Sequence, residues 1–293
     1  NTRSRGLGDV YKRQEDKVFF IILLATIMHA SWNAMVKKHS DKTVALAGII
    51  LGHIPLSVVA IIILPLPSSE SIPYIIVSAL IHQGYQWYLL SSYQIGDFTK
   101  VYPICRGFGP LVATFISLIF LGVVFNILTT VSILLLCFGI MMLGFKVDNK
   151  EKNSNVLKYS LLTGFFIGLY SLVDGYGARI SASAISFMSF SFILSAIMFP
   201  FLLKLKKEEN IVSRISKDGK FIFWVGGSMS YVIYMIVVWG FTQAPIPMVA
   251  ALRETSIFFS IFIGYFFLSE RITPAKIFSV LLILAGVIGL KLS

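Results

Sequence analysis

Charge is scarce in this chain. Asp, Glu, Lys and Arg make up 13% of its 293 residues, where a soluble domain carries about 25%. Hydrophobic residues make up 56%. That balance excludes an ordinary soluble fold and points to an integral membrane protein, with the lipid bilayer as its first partner. Acids are scarcer than bases, 14 against 25, for a formal net charge of +11. This excess does not imply nucleic acid, because the Lys and Arg lie mostly between apolar runs, where they act as topology signals. Cysteine is nearly absent. Cys105 and Cys137 both fall inside apolar runs without metal-ligand spacing and read as packing thiols. The four histidines, His29, His39, His53 and His82, also lack such spacing. There is no His-Glu-x-x-His, no Gly-x-Ser-x-Gly and no phosphate-cradling Walker loop. No enzyme, cofactor or metal is therefore expected. With no ATP-binding domain, any active transport must draw on a gradient.

What is present is long apolar runs. A spanning helix needs about 20 mostly apolar residues. Ten candidates fit: 17–37, 43–65, 72–93, 98–121, 125–145, 157–177, 181–203, 219–242, 246–268 and 274–291. Pro and polar residues mark the breaks between them. The longer polar connections are 146–156 and 204–218, both rich in Lys and Glu. Residues 1–16 read as a polar tail, and the run after Lys17 shows no signal-peptide cleavage site.

The chain also repeats. A shift of 147 lays residues 106–143 over 253–290 without a gap and gives nine identities, among them Arg106/Arg253, Ser132/Ser279 and Gly139/Gly286. Apolar sequences match often by chance, but a paired arginine inside apolar runs does not. Five helices per half is an odd number, so the halves, 17–145 and 157–291, must be inverted across the membrane, with 146–156 as a cytoplasmic linker. Inverted repeats recur in secondary transporters. Charge agrees. Alternate connections, beginning with that between the first two runs, hold 16 Lys and Arg, and the others hold only Arg179. By the positive-inside rule the first set is cytoplasmic and both termini are periplasmic.

Polar residues inside these runs are costly, about 2.5–3.5 kcal/mol for an arginine near a helix centre, and are usually functional. The first run carries His29, Trp32, Asn33 and Lys37 on a helical stripe. The third carries His82, Gln83, Gln86 and Trp87, where amides and an indole suit a wet path for a polar solute. The fourth opens with Tyr102 one turn before Arg106, around Pro103 and Gly107. Its counterpart sets Glu254 beside Arg253. Neighbours on a helix point about 100° apart, so these two need not pair. Glu254 either meets an arginine on another helix or takes up a proton. The sixth run carries Tyr170 and Asp174 one turn apart. Asp174 reads equally as a proton or cation site and as a partner for Arg106 or Arg253. The bland alternatives are helix–helix hydrogen bonding for the first stripe and an interfacial aromatic belt for the third.

His29-Ala30-Ser31-Trp32-Asn33, Tyr102-Pro103-Ile104-Cys105-Arg106-Gly107 and Ala250-Ala251-Leu252-Arg253-Glu254-Thr255-Ser256, followed by Phe267-Leu268-Ser269-Glu270-Arg271, resemble the drug/metabolite transporter superfamily in its EamA-like ten-helix branch. Gly122-Val123-Val124 departs from it where an acid would stand. The resemblance implies an inner-membrane secondary transporter, often an exporter, of a small polar metabolite such as an amino acid or organic anion, frequently proton-coupled.

The expected protein is thus an all-α polytopic transporter of ten helices in two inverted repeats. Arg106 and Arg253 would clamp an anionic or zwitterionic solute by charge-assisted bonds. His29, Trp32, Asn33, Gln83, Trp87 and Tyr102 would shape the pocket, and Asp174 or Glu254 would couple to protons. Because Gly107 follows Arg106 and Glu254 follows Arg253, Arg106 is expected to be the freer anion binder. Two rival readings are an intramembrane enzyme acting on lipid through Asp174 and His29, and a non-transporting receptor or accessory subunit.

Overall fold

A computed structural model of the chain describes residues 17–30, 36, 39–96, 98–145, 154–268 and 273–293. The tail 1–16 and most of the linker 146–156 fall outside these residues, as do Trp32 and Asn33. Among the described residues there is no strand.

The helices are α1 (Lys17–Ala30), α2 (Lys42–Gly52), α3 (Ile54–Ile63), α4 (Ile72–Ile95), α5 (Phe98–Ile119), α6 (Ile127–Phe145), α7 (Ser154–Ile180), α8 (Ala184–Leu205), the single turn α9 (Ile211–Arg214), α10 (Gly227–Gln243), α11 (Ile246–Glu254), α12 (Ser256–Leu268) and α13 (Pro274–Leu292). Their starts are written in the sequence. Asp41 caps α2 by accepting from the Val44 N–H at 3.0 Å, and Ser183 caps α8 from the Ser186 N–H at 3.2 Å. Helices α2 and α3 form one span of 22 residues that turns at His53, just before Pro55. Pro55 lacks the N–H that would continue the ladder.

Among the described residues, seven helical segments are long and apolar enough to cross a membrane. Helix α4 misses because His82, Gln83, Gln86 and Gln94 dilute it. Helix α1 is described over too few residues. The run expected at 246–268 is divided at Thr255 into α11 and α12. There the Thr255 hydroxyl donates to the Leu252 carbonyl at 2.7 Å, a local bond that competes with the helical ladder.

A second departure concerns residues 204–218, expected to be a polar connection. Helical structure begins at Ile211 and runs through two wide π turns, Ile215–Gly219 and Ile222–Gly226, into α10. Asn210 ends the loop in the left-handed conformation, with φ 55°. Ile211, Ile215 and Ile222 fall on one buried face and pack against α2 through Val44, Ala45, Ala47 and Ile49. The Lys and Asp between them had masked this helical period.

The packing of α6 on α13 is reciprocal. A Cβ on Gly139 would lie 2.9 Å from the Ser279 carbonyl and 2.8 Å from the Leu282 Cβ. A Cβ on Gly286 would lie 2.7 Å from the Ser132 carbonyl and 2.7 Å from the Leu136 Cβ. One turn on, Gly289 faces Ser132 and Leu128, so the partner residue number falls as that on α13 rises. The two helices therefore run antiparallel. Only a missing side chain lets the backbones approach this closely.

Candidate functional site

The two arginines meet. Arg106, from the third turn of the Pro103-containing helix α5, and Arg253, from the last turn of α11, are both buried, at 6% and 1% exposure. Between them lies Glu254, which is fully buried. Its Oε1 accepts from Arg253 Nε at 3.0 Å, and its Oε2 pairs with Arg106 Nε. One carboxylate thus bridges two guanidiniums. The expectation that Arg106 is the free one is corrected here, because Arg106 and Arg253 are both paired with the same acid. Gly107 holds the repeat position of Glu254. A Cβ there would lie 2.8 Å from the Cys137 carbonyl of α6, so α5 needs that position empty to pack.

Around the trio, Arg106 Nη2 donates to His29 Nε2 at 2.9 Å. A guanidinium has no acceptor, so His29 is neutral and carries its proton on Nδ1. The Arg106 guanidinium lies 5.7 Å from the Tyr102 ring, and that of Arg253 lies 5.7 Å from Tyr170 and 5.9 Å from Tyr234. These ring faces support the cations without adding charge.

A second buried acid sits in its own cluster. Asp174 of α7 is fully buried and accepts from the Ser78 hydroxyl at 2.5 Å, the Tyr234 hydroxyl at 2.5 Å and His82 Nε2 at 3.1 Å. It pairs with neither arginine, and its partners do not include His29, the residue that the lipid-enzyme reading sets beside it. His82 stacks on Tyr170 at 4.3 Å, and Tyr170 faces Arg253, so the two clusters share a wall.

These side chains border a cavity of about 110 Å³. His29, Tyr102, Arg106 and Arg253 line it, joined by His82, Tyr170 and Tyr234. The lining runs from the helix middles toward Leu46 of α2, Tyr93 of α4 and Tyr102 of α5. It therefore extends to the end where α2 and α5 begin and α4 stops. An ion-pair network ties that end. Arg214 donates to Asp41 Oδ2 at 2.5 Å and to Glu208 Oε2 at 2.8 Å, and Gln94 donates to Glu208 Oε1 at 3.1 Å. Burial raises the Asp41 carboxyl, but the Arg214 hydrogen bond and the Val44 N–H lower it further, and the net result is below its ordinary value of 3.8.

Two expected lining residues lie elsewhere. Gln83 points to α8, donating to the Ser195 carbonyl at 3.0 Å, and Trp87 stacks under the Lys206 ammonium at 4.2 Å. Helical spacing places both on one stripe, but that stripe meets α8 and not the cavity. Tyr170, Tyr234 and His82 were the residues missed as site members. Their signal was a polar tip inside an apolar run, which in Tyr is hard to tell from packing.

Residues 156–292 match the family model of the EamA-like transporter family. No curated protein matches the chain. Among solved structures 28 chains match. One, a crystal structure of a protein, has a TM-score of 0.72 at 11% identity and covers 94% of this chain and 98% of the other. At that identity the likeness is one of fold.

Proposed function

We propose that the chain, whose residues 156–292 match the model of the EamA-like transporter family, is a secondary transporter of a small polar solute with one anionic group. The carrying observation is the bridged trio. Two guanidiniums and one carboxylate leave one positive charge in the cavity wall, and a monoanion neutralises it. Arg106 and Arg253 are the anion clamp, and His29 and Tyr102 hold Arg106 in place. The cavity is close to the roughly 150 Å³ that accommodates a benzene-sized guest, so the solute has few heavy atoms.

In this reading the fold is ten spans in two inverted five-helix repeats, 17–145 and 157–291. The antiparallel, reciprocal contact of Gly139 and Gly286 supports it, since each residue meets the repeat counterpart of the other's partners. Asp174 with His82 is the proton-coupling pair, a buried acid and imidazole beside the solute cavity. The placement in an inner membrane with both termini periplasmic rests on the uneven Lys and Arg of the connections. The outward direction rests on the family resemblance alone.

The solute is found by thermal melting of the purified protein against amino acids, organic acids and phosphonates, since a ligand stabilises the fold in proportion to its excess over Kd. Flux of that solute into vesicles should fall at least tenfold in Arg106→Gln and in Arg253→Gln. Transport that survives both substitutions would remove the anion clamp.

A further inference from the structure

The cavity wall contains polar groups that the arginine clamp does not use. His53 sits where α2 gives way to α3, is 8% exposed, and stacks on Phe192 with ring centroids 4.3 Å apart and planes 24° apart. Its Nε2 is buried and has no hydrogen-bond partner among the described residues. Gln86 of α4 is 4% exposed. Its Nε2 donates to the Ser195 hydroxyl at 3.1 Å, while its Oε1 is buried and also has no partner among the described residues. Both residues line the cavity, as does Ser195. The other partnerless hydroxyl and amide oxygens on Ser57, Gln83, Ser186 and Ser279 belong to residues outside its lining.

Buried polar atoms in folded proteins find partners in about nine cases of ten. Two orphans on different helices, both beside one cavity, mark a place where an occupant completes the bonding. Ring stacking fixes the plane of His53, and the Ser195 bond fixes the amide of Gln86, so both atoms are preorganised rather than free to turn away. Gln86 Oε1 can only accept. Neutral imidazole Nε2 accepts when the proton is on Nδ1. With His53 in the Nδ1–H tautomer, the one group that suits both atoms at once is a hydrogen-bond donor.

We infer that His53 and Gln86 form a second recognition pole in the cavity, which takes a hydrogen-bond-donating group, ammonium or hydroxyl, on the same solute whose anionic group meets the arginines. This rests on the arginine clamp proposed above. The solute is then bifunctional, and a simple carboxylate is a poor ligand. Gln86 Oε1 and His53 Nε2 are both neutral acceptors, so an ammonium suits them as readily as a hydroxyl.

The test is binding of propionate, lactate and alanine to the purified full chain by calorimetry. These three probes share a carbon skeleton and differ by hydrogen, hydroxyl and ammonium. Lactate or alanine should bind about tenfold or more tightly than propionate, the worth of a hydrogen bond to a buried group. A preference for alanine identifies the ammonium and one for lactate the hydroxyl. That ratio should fall about tenfold in Gln86→Leu. It should fall likewise in His53→Phe, which keeps the stack on Phe192 and serves if the Gln86 variant fails to fold. Equal binding of all three probes overturns the second pole while leaving the clamp standing. A ratio preserved in the folded variants also overturns it. Binding of none overturns the pole and the clamp together.

Discussion

Replacing Glu254 by Gln should be the most costly single change in the trio, although it removes one charge and keeps the shape. The carboxylate touches two guanidiniums, with Arg253 Nε at 3.0 Å and Arg106 Nε closer still. With charge centres about 4 Å apart and an effective dielectric of about 20, each contact is worth about 4 kcal/mol before desolvation. Removing one partner of a buried pair costs about 3–5 kcal/mol net. Here it strands two cations, which then repel each other, so the upper end of that range is expected. Arg106→Gln costs less, because Glu254 keeps Arg253. In the double variant Arg253 stands alone without a second cation, so the two changes are not additive. Equilibrium unfolding in detergent micelles, run as a double-mutant cycle over Arg106 and Glu254, should give a coupling of about 2 kcal/mol or more. Additivity within about 0.5 kcal/mol would refute the bridge. A monoanionic ligand should also stabilise Glu254→Gln more than the parent protein, because it replaces the lost charge.

Gly139→Leu and Gly286→Leu should each destabilise by about 1–3 kcal/mol or more, by a similar amount, because each drives a side chain into a backbone less than 3 Å away; thermal melting of the two variants checks this. Asp41→Asn keeps the helix cap and loses the Arg214 ion pair, so it should cost less than about 1 kcal/mol, while Asp41→Ala should cost about 1 kcal/mol more. The Asp41 carboxyl is depressed in the fold, so its stabilisation is fully present above pH 3.8 and lost as the pH falls through the lower folded value. The gap between parent and Asp41→Asn should therefore close only in strong acid, as read by melting temperature against pH.

The helices and the arginine pair were legible in the sequence because both depend on local contrast: apolar length, capping residues, and a cation where none is cheap. The partners of those cations were not. Side chains of Arg253 and Glu254 leave the helix about 100° apart, yet Arg253 is long enough to fold back on its neighbour, and α5 brings Arg106 to the other oxygen. Asp174 was visible as a lone buried acid, but its partners Ser78, His82 and Tyr234 come from α4 and α10, and no local rule selects them over an arginine. Gln83 and Trp87 show the same gap from the other side. A helical stripe says which residues share a face and not which neighbour that face meets. The division at Thr255 left only the faint trace of Glu254-Thr255-Ser256, three polar residues with neither Pro nor Gly among them.

Gly107 deserves a different accounting from the other close contacts. Its empty position lets α5 rest against the Cys137 carbonyl, and it is also where symmetry would have put a second acid. Close packing in the first half therefore decides the electrostatics at the centre. A carboxylate at that position would push α5 off α6, so the pair of arginines shares one acid and the cavity keeps an unspent positive charge. With the solute proposed above, a steric rule in one half thereby becomes a selectivity filter for the whole protein, which would discriminate by valence before any shape of the solute is tested.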